Sequence, residues 1–106
     1  MERNRFVELS TKALEHIDET LGDLEHEKLD VDLAGDVLTL DFADGTKFII
    51  NAHSAAGQVW MAANKDAWHF DYVEDQGKWI AHKTGDELMA TVARTVGERL
   101  GQPVTL

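Results

Sequence analysis

Between Glu15 and Asp32 the chain changes its hydrophobic period, and that change limits the folds open to it. Before Gly22, apolar residues recur at spacings of three and four. Phe6, Leu9, Ala13, Ile17, Leu21 and Leu24 fall on one stripe of a helix predicted over residues 5–24. After Lys28 the pattern becomes strict alternation, with Leu29, Val31 and Leu33 set against Asp30 and Asp32, as a half-buried strand requires. A chain that passes from one period to the other must lay helix against sheet.

The same stretch holds Glu15, Asp18, Glu19, Asp23, Glu25, Glu27, Asp30 and Asp32, eight of the twenty carboxylates, and Lys28 is its only cation. It therefore carries a formal −7 of the chain's −10. The placement opposes helix stability. Glu15, Glu19 and Asp23 stack at i, i+4 as like charges, each pair costing roughly 0.2–0.5 kcal/mol. Asp23 and Glu25 fall near the helix C-terminus, where the macrodipole favours cations. A solvated face is the ordinary meaning of such a run. The residues alone leave that meaning ahead, and the unfavourable placement opens a second reading, a surface that binds cations or a basic partner.

The alternation continues through Val37–Phe42, Thr46–Asn51, Gln58–Ala62, Ala67–Val73 and Lys78–His82. Asp44-Gly45 predicts a two-residue type I′ hairpin. Thr84 with Glu87 three residues on reads as a capping box, placing Gly85 and Asp86 in the first turn of a second helix. Leu88, Val92, Val96 and Leu100 form its apolar stripe, Gly101 suits the left-handed cap, and Pro103 stops it. The order gives one domain over residues 1–106, an α+β fold. It is a two-layer α/β sandwich, N- and C-terminal helices packed on one face of an antiparallel sheet of about five to six strands.

Cysteine is absent, which excludes disulfides, a thiol nucleophile and a cluster held by the chain's own thiolates. Without a long apolar segment the chain reads as cytoplasmic. A pI near 4.7 argues against nucleic acid and anionic membrane as partners. Carboxylates without thiols suit hard, oxygen-seeking cations, and the residues alone do not choose among iron, calcium, magnesium and manganese. No nucleophile elbow, phosphate loop or organic-cofactor motif occurs, and the carboxylate pairs look exposed, so the chain is not expected to be an enzyme.

Trp60 shares a strand face with Gln58, while Val59 and Met61 point to the other side, toward the helices. An exposed tryptophan among amides has the composition of a docking anchor. Trp68 and Trp79 are expected to pack in the core. His16 and His26 lie beside the acidic stretch and His69 on the Trp60 side, while His53 and His82 receive no role.

Val37-Leu38-Thr39, Asp44-Gly45-Thr46, Ile50-Asn51, Gln58-Val59-Trp60-Met61-Ala62 and His69-Phe70-Asp71 together resemble the bacterial branch of the frataxin family. The Asn-x6-Gln-x-Trp spacing is the most specific part, and the resemblance runs from the acidic helix to the last one. It implies weak binding of ferrous and ferric iron and a role regulating, or supplying iron to, iron–sulfur cluster assembly. The implied partners are a cysteine desulfurase and the cluster scaffold protein, with the chain a monomer and metal-driven oligomers left open. The implied acidic ridge falls on Asp18, Glu19, Asp23, Glu25, Glu27, Asp30 and Asp32, which Glu15 extends, and the implied sheet-face contacts on Asn51, Gln58 and Trp60. Gly22 stands where relatives often carry an acid. The alternatives are a metal-independent acidic module that modulates the desulfurase, or a general divalent-cation-binding domain.

Overall fold

A computed structural model describes all 106 residues, Met1–Leu106. Helix α1 (Arg3–Gly22) leads into six strands, β1 (Leu29–Ala34), β2 (Val37–Phe42), β3 (Lys47–His53), β4 (Gln58–Ala63), β5 (Asp66–Val73) and β6 (Lys78–Ala81). A two-residue strand β7 (Asp86–Glu87) and helix α2 (Leu88–Leu100) follow. The strands pair antiparallel in sequence order, so each lies beside its chain neighbour and β1 and β7 form the edges. Both helices cover one face, α1 against β1 and β3, and α2 against β6 and β7. No helix is long and apolar enough to cross a membrane.

Alternation decides which side chains meet the helices. Leu38, Leu40, Phe48, Ile50, Val59, Met61 and Phe70 are buried between the layers, against Leu14, Ile17 and Leu21 of α1 and Leu88, Val92 and Val96 of α2. Trp68 and Trp79 join this core as expected, Trp79 meeting Phe6 edge-on at 5.8 Å.

Four local expectations are corrected. The sheet has seven strands, because Asp86 and Glu87 pair with Ala81 and Ile80 instead of starting the helix. Thr84 is accordingly no capping-box residue. Its hydroxyl accepts the Asp86 N–H at 3.3 Å, while the Glu87 carboxylate caps α2 itself, accepting from Met89 at 2.7 Å and Ala90 at 3.0 Å. Leu24 is 36% exposed because α1 ends at Gly22, and Leu14 and Ser10 complete the buried stripe in its place. The β2–β3 turn is not type I′. Asp44 keeps a negative φ and Gly45 alone is left-handed, at 91°. Gly45 N–H donates to Phe42 O at 3.0 Å and Phe42 N–H to Thr46 O at 2.8 Å, a three-residue loop closed by a bulge.

Candidate functional site

Two surfaces carry polar side chains that the fold does not use. The first is the acidic stretch. Glu15, Asp18 and Glu19 stand on α1, Asp23 caps its C-terminus, and Glu25 and Glu27 lie in the connection. Asp30 and Asp32 project from β1 on the side away from the helices, opposite Asp41 and Thr39. The ridge thus wraps the β1 edge of the molecule, with carboxylates on both layers. Seven of the eight are exposed and Asp18 is half-buried.

None of the eight belongs to an ion pair, the molecule's pairs being Arg5–Glu74, Lys12–Glu8, Lys47–Asp41, His82–Asp71, Arg94–Glu98 and Arg99–Asp44. The last turn of α1 holds no basic residue, so nothing offsets the macrodipole against Asp23. Nor do any three His, Asp or Glu side chains converge closely enough to hold a metal ion. The surface is therefore an extended field of charge and not a preformed cage. His26, a candidate nitrogen ligand, has its Nδ1 occupied by the Lys28 N–H at 3.1 Å. His16 is exposed.

The second surface is the open face of the sheet. Register places Asn51 opposite Trp60 and Trp60 opposite His69, so the predicted trio and His69 share this face. Trp60 is not the free-standing ring that composition predicts. It is half-buried in a stack of three rings, with His53 at 3.9 Å and 21° on one side and His69 at 4.3 Å and 12° on the other. Its indole N–H donates to Gln58 Oε1 at 2.8 Å, and the Gln58 amide donates to Asp71 Oδ1 at 3.1 Å. His82 extends the chain, its Nε2 lying 3.8 Å from Asp71 Oδ2. Beside the stack, Ile49, Ala62 and Ala67 line a shallow apolar depression.

His53 and Asp71 were missed as members of this face. The signal was available: once the β3–β4 hairpin is paired, His53 opposes Gln58 and must lie diagonal to Trp60, within reach of an aromatic ring.

Known proteins match most of the chain. Residues 1–102 fit the family model described as a frataxin-like domain. The chain belongs to the frataxin family. A bacterial relative from Thioalkalivibrio sulfidiphilus, named iron-sulfur cluster assembly protein CyaY, is 38% identical over 78 residues, 74% of this chain and 73% of that one. The protein of the same name from Shewanella baltica is 37% identical over 90 residues, 85% of this chain and 80% of its own. Among solved structures, frataxin from Psychromonas ingrahamii superposes with a TM-score of 0.89 at 30% identity, covering 99% of this chain and 97% of that one. In this frataxin-family chain Asp30 and Asp32 of the acidic edge lie on the same sheet face as Asn51 and Trp60, with β2 between β1 and β3.

Proposed function

We propose that the chain serves iron–sulfur cluster assembly in the cytoplasm as a binding protein with no reaction of its own. In this reading it carries iron, ferrous or ferric, weakly on the ridge and presents it to a cysteine desulfurase and a cluster scaffold protein. The single observation that carries the reading is the set of eight carboxylates on a frataxin fold, none of them paired with a cation. The names of its bacterial relatives support the process. Exposed carboxylates that do not converge leave a bound ion most of its water, so affinity is modest and several ions share the surface. Asn51, Gln58 and Trp60 are read as the scaffold-facing contacts. Titration of Fe²⁺, or of a lanthanide in place of Fe³⁺, followed by backbone NMR tests the ridge. Signals of residues 15–32 should move first, and their silence refutes the iron reading.

The lack of a converged ligand set favours a second reading, in which the ridge docks on a basic surface of the desulfurase without metal. Docking of that kind weakens steeply with salt, as the Debye length falls below about 10 Å. Metal-free protein should then bind the desulfurase at low salt. Failure to do so removes this second reading and leaves the first.

A further inference from the structure

The edge strand β1 has a row of main-chain groups that nothing in the molecule uses. Ala43 N–H donates to Lys28 O at 2.9 Å, which sets the phase of the β1–β2 ladder. With that phase and the register, Asp30, Asp32 and Ala34 turn their amides and carbonyls inward to Asp41, Thr39 and Val37. The intervening residues, Leu29, Val31 and Leu33, turn theirs outward. Phase on the far side of β2 agrees, since Phe42 bonds Thr46 and Ala52 bonds the Asp36 carbonyl. Leu29 N–H is taken by His26 O at 3.1 Å. That leaves the N–H and C=O of Val31 and Leu33, and the Leu29 carbonyl, without a backbone partner.

Sheet edges left open in this way accept another strand. The side chains beside this one decide which. Asp30 and Asp32 flank the edge on the open face, and on the other side Glu15 shares a groove with Leu33 against α1. A second copy of this chain is disfavoured by the same residues. Antiparallel pairing of β1 with itself about Val31 would set Asp30 directly against the other copy's Asp32, a like-charge pair. An incoming strand with lysine or arginine at alternate positions meets carboxylates instead, and small apolar residues between them would extend the row of Val31 and Leu33.

We propose that β1 is an augmentation site for an extended basic segment of a partner protein, with alternating Lys/Arg and apolar residues, held by main-chain bonds to Val31 and Leu33 and selected by Asp30 and Asp32. The inference rests on the reading of the ridge as a surface that docks basic partners, and adds a backbone-specific mode of docking to it. It makes strand pairing, and not charge alone, the source of register.

The test uses the intact protein and three synthetic heptapeptides. One alternates, acetyl-Lys-Val-Lys-Thr-Lys-Val-Lys-amide. One has the same composition in blocks, with all lysines first. The last is the alternating peptide N-methylated at the residues whose N–H groups face β1. Binding is followed by amide NMR and hydrogen exchange at low salt. The alternating peptide should slow exchange at Val31 and Leu33 and bind at least about tenfold tighter than the methylated form, which loses several main-chain bonds at once. Val31→Pro, which removes an outward N–H and no ladder bond, should weaken the alternating peptide, because a carbonyl of the incoming strand then finds no donor and the proline ring obstructs pairing. If all three peptides bind alike and Val31 and Leu33 gain no protection, the augmentation site is refuted while acidic docking stands. If none binds, the docking reading of the ridge falls and the augmentation site with it.

Discussion

The imidazole of His69 lies nearly parallel to the indole of Trp60, 4.3 Å away between centroids, and His53 closes the other side of that indole at 3.9 Å. Both faces of Trp60 are therefore occupied within the molecule, and a partner meets the ring by its edge. Removing the indole loses two stacked contacts of about 0.5–1.5 kcal/mol each, with solvent already close by. Trp60→Ala should therefore lower stability by about 1–3 kcal/mol, below the roughly 3–5 kcal/mol typical of a buried tryptophan. Trp79→Ala, which removes a core ring packed on Phe6 and Tyr72, should reach that larger figure. Urea titrations of both variants check the contrast. Trp60→Ala should also weaken binding to the scaffold–desulfurase assembly while leaving cation shifts on residues 15–32 intact. Equal losses of stability in the two variants would place Trp60 with the core.

Gly97 sits under the C-terminal tail. A Cβ built there would lie 2.9 Å from the carbonyl oxygen of Gln102, and the Gly97 carbonyl itself accepts from Gly101 at 2.8 Å and Gln102 at 3.1 Å. Alanine in mid-helix would ordinarily gain about 1 kcal/mol over glycine. Here the clash is with backbone and must displace the tail that packs Val104 and Leu106 onto the core. Gly97→Ala should destabilise by about 1–3 kcal/mol, as overpacking does. A denaturant midpoint at or above that of the parent would show that the tail moves freely.

The layers of this fold were legible because burial on one face imposes period. Leu38, Leu40, Ile50, Val59 and Met61 all fall where alternation places them, and Ile17 and Leu21 where the helical repeat does. What escaped was decided by contacts between elements or by competition among local bonds. Glu87 and Thr84 both had the chemistry of a cap, and pairing of Asp86 and Glu87 with β6 settled it. Leu24 continued the apolar spacing past the point where the helix had stopped. At the candidate site, the eight carboxylates were plain in the sequence, and their exposure follows from charge. The ring stack around Trp60 was not, because it joins residues from three strands whose register must be known first.

Three carboxylates lie below the ordinary carboxylate range for identifiable reasons: Glu74 through hydrogen bonds from Arg5, Asp44 through the Thr46 amide, and Asp86 through hydrogen bonding to Thr84 and then the Trp68 indole. A group with a lowered folded pKa binds protons less readily folded than unfolded. Its contribution is complete above the unfolded value near 4 and is lost as pH falls through the lower folded value. Asp86→Asn should therefore destabilise at pH 7, and the gap from the parent should narrow toward pH 3. Urea midpoints at the two pH values measure it. A gap that is the same at both would mean that the Trp68 bond at 3.0 Å does not depend on the carboxylate charge.

Glu25 is held in the left-handed region, at φ 47°, three residues beyond the helix end at Gly22. A residue with a Cβ pays roughly 1–2 kcal/mol in that conformation, and glycine does not. The position also adds a negative charge to seven others without a cation partner. The two costs separate by substitution. Glu25→Gln keeps the strain and removes the charge, so it should raise the thermal midpoint only slightly, as Glu19→Gln and Asp23→Asn should. Glu25→Gly removes both. It should gain about 1 kcal/mol more than Glu25→Gln, less the backbone entropy that glycine gives back to the unfolded chain. All of these variants should bind cations more weakly, because each thins the field that the ridge presents. Thermal melts with and without a divalent cation read both effects: the ion should raise the parent's midpoint more than that of any variant. If Glu25→Gly melts below Glu25→Gln, the glutamate side chain supports the connection between α1 and β1 and the strain is not the deciding cost.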